Sequence, residues 1–126
     1  MNNLIYYLDI SIIRPGKLPE LKNAVKELVE FVDLKEAGLI SYNIYFNEED
    51  SQMSLLQIHP DSASLELHLE LGGPIFLKFK DLIQLLTIQI YGEPSENLLE
   101  QLHRKAQMLG NAKVAIHKLQ AGFSRF

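Results

Sequence analysis

The sequence predicts an α+β fold of the ferredoxin-like type, a split βαβ plan with an antiparallel sheet, extended by a C-terminal helix and strand. The predicted elements follow the order β-α-β-β-α-β and then α-β. The middle two strands are separated only by the polar residues 47–51, a loop short enough for a hairpin. The length of 126 residues, 47% of them hydrophobic, is enough for one core. We expect one domain over 1–126, with its core at about 4–92 and its extension at about 95–121.

The first strand is predicted over residues 4–13, because this run is rich in Ile, Leu and Tyr and ends at a Pro-Gly turn. A helix follows, with Pro19 in its first turn and Gly38 ending its apolar stripe. The stripe consists of Leu21, Val25, Leu28, Val32 and Lys35, with Ala24 and Phe31 alongside.

Strands are then predicted over 39–46 and 53–59, as antiparallel neighbours. The segment 64–71 alternates like a strand, but we predict a helix because Leu and Glu dominate it and no β-branched residue follows Ser64. Asp61 or Ser62 can cap its start, and Gly72-Gly73 can end it. Pro74 should then open a second, short helical turn.

The last three elements are a strand over 85–91, a helix over 95–109 and a strand over 113–120. Residues 1–100 carry 7 basic and 16 acidic side chains, whereas residues 101–126 carry 5 basic and no acidic ones. We interpret the cations Arg104 and Lys105 as stabilising the last turn of their helix through its macrodipole.

The composition excludes several classes of protein. Without cysteine there is no disulfide, thiolate nucleophile or Cys-ligated metal. A net charge of −4 argues against a nucleic-acid partner. Because no apolar run approaches the roughly 18 residues that span a bilayer and no secretory signal is recognisable, we expect a cytoplasmic protein without a membrane partner.

Alternation along the strands sorts their side chains into two sets. The more apolar set should face the helices: Tyr6, Leu8, Ile10, Ile12, Ile40, Tyr42, Ile44, Phe46, Leu56, Ile58, Ile88, Ile90, Val114 and Ile116. The opposite set mixes apolar and uncharged polar groups: Ile5, Tyr7, Asp9, Ser11, Ser41, Asn43, Tyr45, Met53, Leu55, Gln57, His59, Thr87, Gln89 and Tyr91.

The second set contains no charged residue except Asp9, so we expect a second copy of the chain to cover it and form a homodimer. The space enclosed between the two sheets would suit a small aromatic or apolar ligand. Alternatively, the polar groups of this set satisfy one another or buried water across the interface.

The run from Gln57 to Leu69, followed by Pro74, Phe76 and Phe79, resembles the central signature of the antibiotic-biosynthesis monooxygenase-like family of dimeric α/β-barrel proteins. The spacing from Asp61 to Leu65 to His68 matches, and the element order matches over roughly residues 4–92. The resemblance implies two subunits with their sheets face to face.

The family includes cofactor-independent oxygenases of quinols and aromatic polyketides, haem-degrading enzymes and members without an established reaction. In this sequence Gln57 stands where Glu is frequent, and His59 stands where Tyr or Trp is common. Because a Trp shapes the pocket of the haem-degrading branch and this chain has none, we expect no cofactor.

His68 is the candidate catalytic residue, since a near-neutral imidazole can take a proton from a phenol and leave an anion that reacts with oxygen. Asn43 would hold the resulting oxyanion. The candidate substrate-binding residues are Tyr7, Asp9, Tyr45, Gln57, His59 and Gln89. The four histidines lack the spacing of a metal site. The alternative is structural: His68 is a half-buried residue with one hydrogen bond, and the others bond across the interface.

Two functions therefore stay open: a cofactor-independent monooxygenase of a small phenolic or quinol-like compound, and a non-catalytic homodimeric barrel that binds a small apolar ligand or serves a structural role. A solvent-accessible cavity around Asn43, Gln57 and Gln89 would favour the enzyme. A further hypothesis gives residues 95–126 a role in assembly.

Overall fold

The computed structural model describes residues 3–126, which form a five-stranded sheet with three α-helices. The elements are β1 (Ile5–Ile13), α1 (Leu18–Lys35), β2 (Ser41–Phe46), β3 (Gln52–His59), α2 (Ser62–Phe76), a 3₁₀ turn (Leu77–Phe79), β4 (Ile83–Tyr91), α3 (Glu96–Met108) and β5 (Lys113–His117).

The sheet has the order β2-β3-β1-β4-β5. The first four strands are antiparallel to their neighbours, and β5 is parallel to β4. This is the ferredoxin-like arrangement that the sequence predicted, with the additional helix and strand at one edge. The helices cover one face of the sheet, which we call the helix face. No helix covers the opposite face, which we call the outer face, within the residues described.

Helix α1 begins and ends close to its predicted bounds, with Pro19 at the start of the helix. Its buried residues are Leu21, Leu28 and Val32, all from the predicted stripe. Helix α3 is also close to prediction, and the Ser95 hydroxyl accepts a hydrogen bond from the backbone N–H of Leu98 as an N-cap.

The prediction for α2 was right about its type and its cap, but wrong about its end. Asp61 accepts a hydrogen bond from the backbone N–H of Ser64 at 2.9 Å. The helix continues through Gly72, Gly73 and Pro74 to Phe76. Gly72 is required by packing, because a Cβ on Gly72 would overlap the ring of Phe76. A Gly-Gly pair thus marks a close approach here, not a helix end.

The bounds of three strands differ from prediction by two residues or more: β2 begins at Ser41 instead of residue 39, β4 begins at Ile83 instead of residue 85, and β5 ends at His117 instead of residue 120. The register between β1 and β4 shifts between Ile10 and Ser11, which leaves Leu86 as the extra residue of a bulge.

The assignment of side chains to faces was wrong for β1 and β3 and right for β2 and β4. On β1 and β3, the helix face holds Ile5, Tyr7, Asp9, Ser11, Met53, Leu55, Gln57 and His59, which are all buried. The outer face holds Tyr6, Leu8, Ile10, Ile12, Leu56 and Ile58. The more apolar set does not face the helices here, because Asp9 and His59 find polar partners on the helices, in Lys105 and Ser64.

The corrected outer face is even poorer in charge than predicted. The strands β1 to β4 contribute no Asp, Glu, Lys or Arg to it, and its centre is formed by Tyr6, Leu8, Ile10, Leu56 and Ile58. Lys113 on β5 is the one outer-facing charge within the strands described. The outer face therefore carries fewer charged side chains than a water-exposed surface normally does, as the sequence analysis expected.

Candidate functional site

A cluster of polar side chains lies buried between the sheet and the helices, and we call it the polar cluster. Its members come from both the sheet and the helices, and all are buried except Tyr42, which is half-buried: Tyr7 and Asp9 from β1, Tyr42 from β2, Gln57 and His59 from β3, Glu36 after α1, His68 from α2 and Lys105 from α3. Because buried polar groups are costly unless paired, each contact here needs an explanation.

The floor of the cluster is a row of three side chains on adjacent strands. Gln57 lies opposite Tyr42 on one side and opposite Tyr7 on the other. Paired residues project from the same face, so all three point toward the helices. His68 of α2 lies beside this floor, with its ring centroid 5.3 Å from that of Tyr42.

His68 is paired with a carboxylate that sequence reasoning did not identify. Its Nδ1 donates to both carboxylate oxygens of Glu36, at 2.9 and 2.8 Å, and neither residue is more than 6% exposed. Burial lowers the pKa of His68 and Glu36 offsets this only in part, so the imidazole is neutral near pH 7. The Nε2 atom is buried and has no hydrogen-bond partner among residues 3–126. It therefore presents a free lone pair, as a general base requires.

His59 has a different arrangement, in which both ring nitrogens are occupied. Nε2 donates to Oε1 of Gln57 at 2.6 Å, and Nδ1 accepts from the Ser64 hydroxyl at 2.8 Å. Burial and then the nearby His68 lower the pKa of His59 to about 3. His59 therefore fixes Gln57, whose amide Nε2 is buried with no partner within the described residues.

The third part of the cluster is a buried ion pair. Lys105 Nζ donates to the Tyr7 hydroxyl at 2.7 Å and lies 3.4 Å from Oδ2 of Asp9, while Tyr7 donates to the same Oδ2 at 2.5 Å. The ammonium also lies 4.5 Å from the ring centroid of Phe76. Lys105 lies in the last turn of α3, as the sequence analysis expected, but its side chain is buried in this ion pair, whereas that of Arg104 is exposed.

Burial also raises the pKa of Tyr42 well above its usual value, and the charges of Asp9 and Glu36 add to this effect. The Tyr42 hydroxyl is a third buried polar atom that lacks a partner within residues 3–126. A base, an amide donor and a hydroxyl are thus left unpaired on neighbouring side chains. Such a set can bind a small molecule that has an ionisable hydroxyl group.

Grooves approach the cluster from two sides. Glu36 lines a groove of about 280 Å³ at the start of α2 and another of about 180 Å³ between α1 and β2. Lys105 and Phe76 line a groove of about 270 Å³ between α2 and α3. Tyr42 lines the smaller of the two grooves on the Glu36 side, and His68 lines none of the three.

The structure divides the predicted site residues between the two faces of the sheet. The helix side brings together Tyr7, Asp9, Gln57, His59 and His68. The outer face holds the remaining candidates, Asn43, Tyr45 and Gln89. Asn43 bonds to the Ser41 hydroxyl at 3.0 Å, and Gln89 bonds to His117 at 2.6 Å. The cavity anticipated around residues of both groups therefore cannot lie on one face of a single subunit.

Sequence reasoning missed Glu36, Tyr42 and Lys105. Glu36 follows the last residue of α1 and Lys105 belongs to a strongly polar helix, so neither stands out from ordinary surface residues. Lys105 did have one usable signal, since it lies at i+3 from Leu102 on the apolar side of α3.

Two further features of the described chain bear on the site. Within residues 3–126 no three His, Asp or Glu side chains are grouped so as to bind a metal ion. None of the helices found there is long and apolar enough to cross a membrane.

Comparison with known proteins shows which solved structures share this fold. No family model matches the chain, and no curated protein matches it. Among solved structures, MupZ from Pseudomonas fluorescens is 19% identical with a TM-score of 0.77, over 98% of this chain and 96% of that one. The cofactor-independent oxygenase SnoaB from Streptomyces nogalater is 10% identical with a TM-score of 0.62, over 74% of this chain and 95% of that one.

A third structure, named "Putative antibiotic biosynthesis monooxygenase" and from Bacteroides thetaiotaomicron, is 25% identical with a TM-score of 0.54, over 66% of this chain and 85% of that one. The chain therefore has the fold of antibiotic-biosynthesis monooxygenase-like proteins, and the resemblance predicted from its sequence is confirmed. The alignment with MupZ covers 98% of this chain and therefore includes the C-terminal helix and strand. The other two alignments cover 74% and 66% of this chain, which is too little to include the whole chain.

Proposed function

We propose that this protein is a cofactor-independent monooxygenase that acts on a small phenolic or quinol-like compound held in the polar cluster. The observation that carries the proposal is the buried His68–Glu36 pair, whose free Nε2 lies on the same side of the sheet as the unpaired amide of Gln57. The fold shared with a cofactor-independent oxygenase supports the reaction type.

In the proposed reaction, Nε2 of His68 takes the phenolic proton, and Glu36 stabilises the imidazolium that forms. The amide of Gln57 and the hydroxyl of Tyr42 donate hydrogen bonds to the phenolate oxygen, the role that the sequence analysis gave to Asn43. The electron-rich ring carbon then bonds to O₂. The imidazolium returns its proton to the outer oxygen of the resulting peroxide. Loss of the ring hydrogen as a proton then breaks the O–O bond, and the departing hydroxide takes up that proton and leaves as water. The other oxygen atom remains on the ring as a carbonyl, so that one phenol and one O₂ give one quinone and one water.

Oxygen uptake with a panel of naphthols and hydroquinones tests this proposal. The variant His68→Gln should lower the rate by about 10²- to 10⁴-fold, the usual contribution of a general base. His103→Gln, which changes an exposed histidine of α3, is the matched control and should keep the full rate. Equal rates for wild type and His68→Gln would remove His68 from the mechanism.

A second candidate function is a non-catalytic barrel that binds a small apolar ligand or serves a structural role. The tight packing of the cluster favours the structural role, because Gln57, His59 and His68 are each 0% exposed. The same panel separates the two functions. Saturable binding of a phenol without oxygen uptake in the wild type would support the binding protein and contradict the monooxygenase.

We also propose that the protein is a cytoplasmic homodimer that pairs through its outer face. The support is the composition of that face, which is apolar at its centre and carries no charge on β1 to β4. An isologous contact between two copies would remove this surface from water.

A further inference from the structure

Lys105 reaches the polar cluster from outside the ferredoxin-like core, because α3 follows the last strand of the βαββαβ unit. Its side chain is 5% exposed and its partner Asp9 is 4% exposed. A lysine is rarely buried to this degree unless its charge is paired. The only carboxylate within ion-pair distance of Lys105, among residues 3–126, is that of Asp9.

The arrangement determines how much negative charge faces His68. The cluster holds two carboxylates, those of Asp9 and Glu36, and one ammonium. With Lys105 in place, Asp9 is neutralised and only Glu36 remains to pair with the imidazole. Without Lys105, two buried carboxylates would face His68 and favour its protonated form.

The ionisable groups around His68 come from five parts of the fold. They are Glu36 beyond α1, Tyr7 and Asp9 on β1, Tyr42 on β2, His59 on β3 and Lys105 on α3. Burial lowers the pKa of His68, Glu36 raises it, the positive charge of Lys105 lowers it again, and Asp9 raises it. Phe76 connects the two ends of the set, since its ring contacts both His68 and the ammonium.

We propose that Lys105 is a positioning residue for the base: by neutralising Asp9 it removes a second negative charge near His68 and so helps burial to keep the imidazole uncharged and able to accept the substrate's proton. The C-terminal helix is then part of the site and not an appendage to the core. The catalytic consequence rests on the monooxygenase function proposed above, but the effect of Lys105 on His68 can be measured without any substrate.

The test is an NMR pH titration of His68 in the full-length protein labelled at histidine, with the signal assigned by its loss in His68→Gln. Lys105→Met removes the charge but keeps the length of the side chain, and it should raise the titration midpoint of His68 by about 1 pH unit. Lys105→Arg should keep the midpoint, and so should the double variant Lys105→Met/Asp9→Asn, which removes both charges.

Arg104→Met is the matched control, because it removes a neighbouring but exposed charge. It should leave the midpoint unchanged. If Lys105→Met does not fold, Asp9→Asn tests the same electrostatics in the opposite direction and should lower the midpoint. A folded Lys105→Met protein with the wild-type midpoint would overturn the proposal. This holds also if the midpoint is unchanged because Asp9 becomes protonated in the variant.

The pH dependence of oxygen uptake is measured separately. The pH at which the rate falls on the acidic side should be higher in Lys105→Met than in the wild type, and it should return to the wild-type value in Lys105→Arg. If the wild type takes up no oxygen while the titration behaves as expected, the monooxygenase function fails and the role of Lys105 holds.

Discussion

At the scale of residues, the protein is defined by polar side chains that are buried yet arranged in specific pairs. His68 pairs with Glu36, His59 with Gln57 and Ser64, and Lys105 with Asp9. Truncating one partner of such a pair leaves the other uncompensated, which typically costs several kcal/mol. The pairs therefore stabilise one arrangement of the core and also leave selected atoms free.

The two buried neutral histidines make the folded state sensitive to acid. The pKa of His59 is about 3 in the folded protein and about 6.5 when the side chain is free, so the unfolded chain binds a proton first as pH falls. Stability should therefore be full above about pH 6.5 and decline toward pH 3, by up to about 1.4 kcal/mol per pH unit from this residue.

Urea unfolding at pH 7.0 and 5.0 checks this expectation. The loss of stability between the two values should be smaller in His59→Gln than in the wild type, because glutamine does not titrate. His117→Gln, which changes an exposed histidine, should retain the full loss. Equal pH dependence in wild type and His59→Gln would show that His59 is not buried neutral.

Glu36 gives a second residue-scale prediction, since its carboxylate should stabilise the protonated His68 formed during reaction. Glu36→Gln should reduce the oxygen-uptake rate by at least about tenfold while the protein stays folded. Glu30→Gln on the exposed side of α1 is the comparison and should be neutral. An unchanged rate in Glu36→Gln would show that the His68–Glu36 pair does not contribute to catalysis.

The candidate site was only partly predictable from these residues. His68, His59 and Gln57 were identified because they lie in a recognisable run and on a strand. Glu36 and Lys105 were not, because their function depends on tertiary contacts with β1 and α2 that no local pattern records. Asn43 was assigned correctly to the face opposite the helices, so the mechanism that grouped it with His68 of α2 was wrong: the sheet lies between the two residues.

At the scale of elements, local signals predicted the type of every helix and strand. The cap at Asp61 and the stripe of α1 were predicted correctly. Gly72-Gly73-Pro74 was misread because a glycine that permits close packing looks the same in sequence as one that ends a helix. The faces of β1 were misread because apolarity alone does not reveal which polar groups have partners.

The two glycines of α2 supply a paired prediction. Gly72→Ala should destabilise the protein by about 1–3 kcal/mol, because the new methyl group would overlap the ring of Phe76. Gly73→Ala has open space around its Cβ and should stabilise the helix by about 0.5–1 kcal/mol. Thermal unfolding of both variants tests this, and the same sign of change in both would contradict the packing account.

At the scale of the whole molecule, the proposed functional site and the proposed association surface lie on opposite sides of one sheet. The helix side holds the polar cluster, and the outer face is free of charge on its four antiparallel strands. The sequence analysis assigned both roles to a single face. Separating them allows each subunit to hold a complete site even when its outer face is covered by a second copy.

Sedimentation velocity tests the association surface. Leu56→Glu places a charge on the outer face without entering the core and should convert a dimer to a monomer. Leu34→Glu, on a leucine of α1 that is 82% exposed, is the matched control and should stay dimeric. A monomeric wild type, or a dimeric Leu56→Glu, would contradict pairing through this face.

The most direct test of the central claim is a crystal structure of the protein with 1-naphthol bound under anaerobic conditions. The polar cluster predicts the naphthol ring on the helix side of the sheet, with its oxygen within hydrogen-bond distance of Nε2 of His68 and Nε2 of Gln57. A naphthol bound only at the outer face, or a cluster that stays closed at saturating ligand, would contradict the claim that this cluster is the functional site.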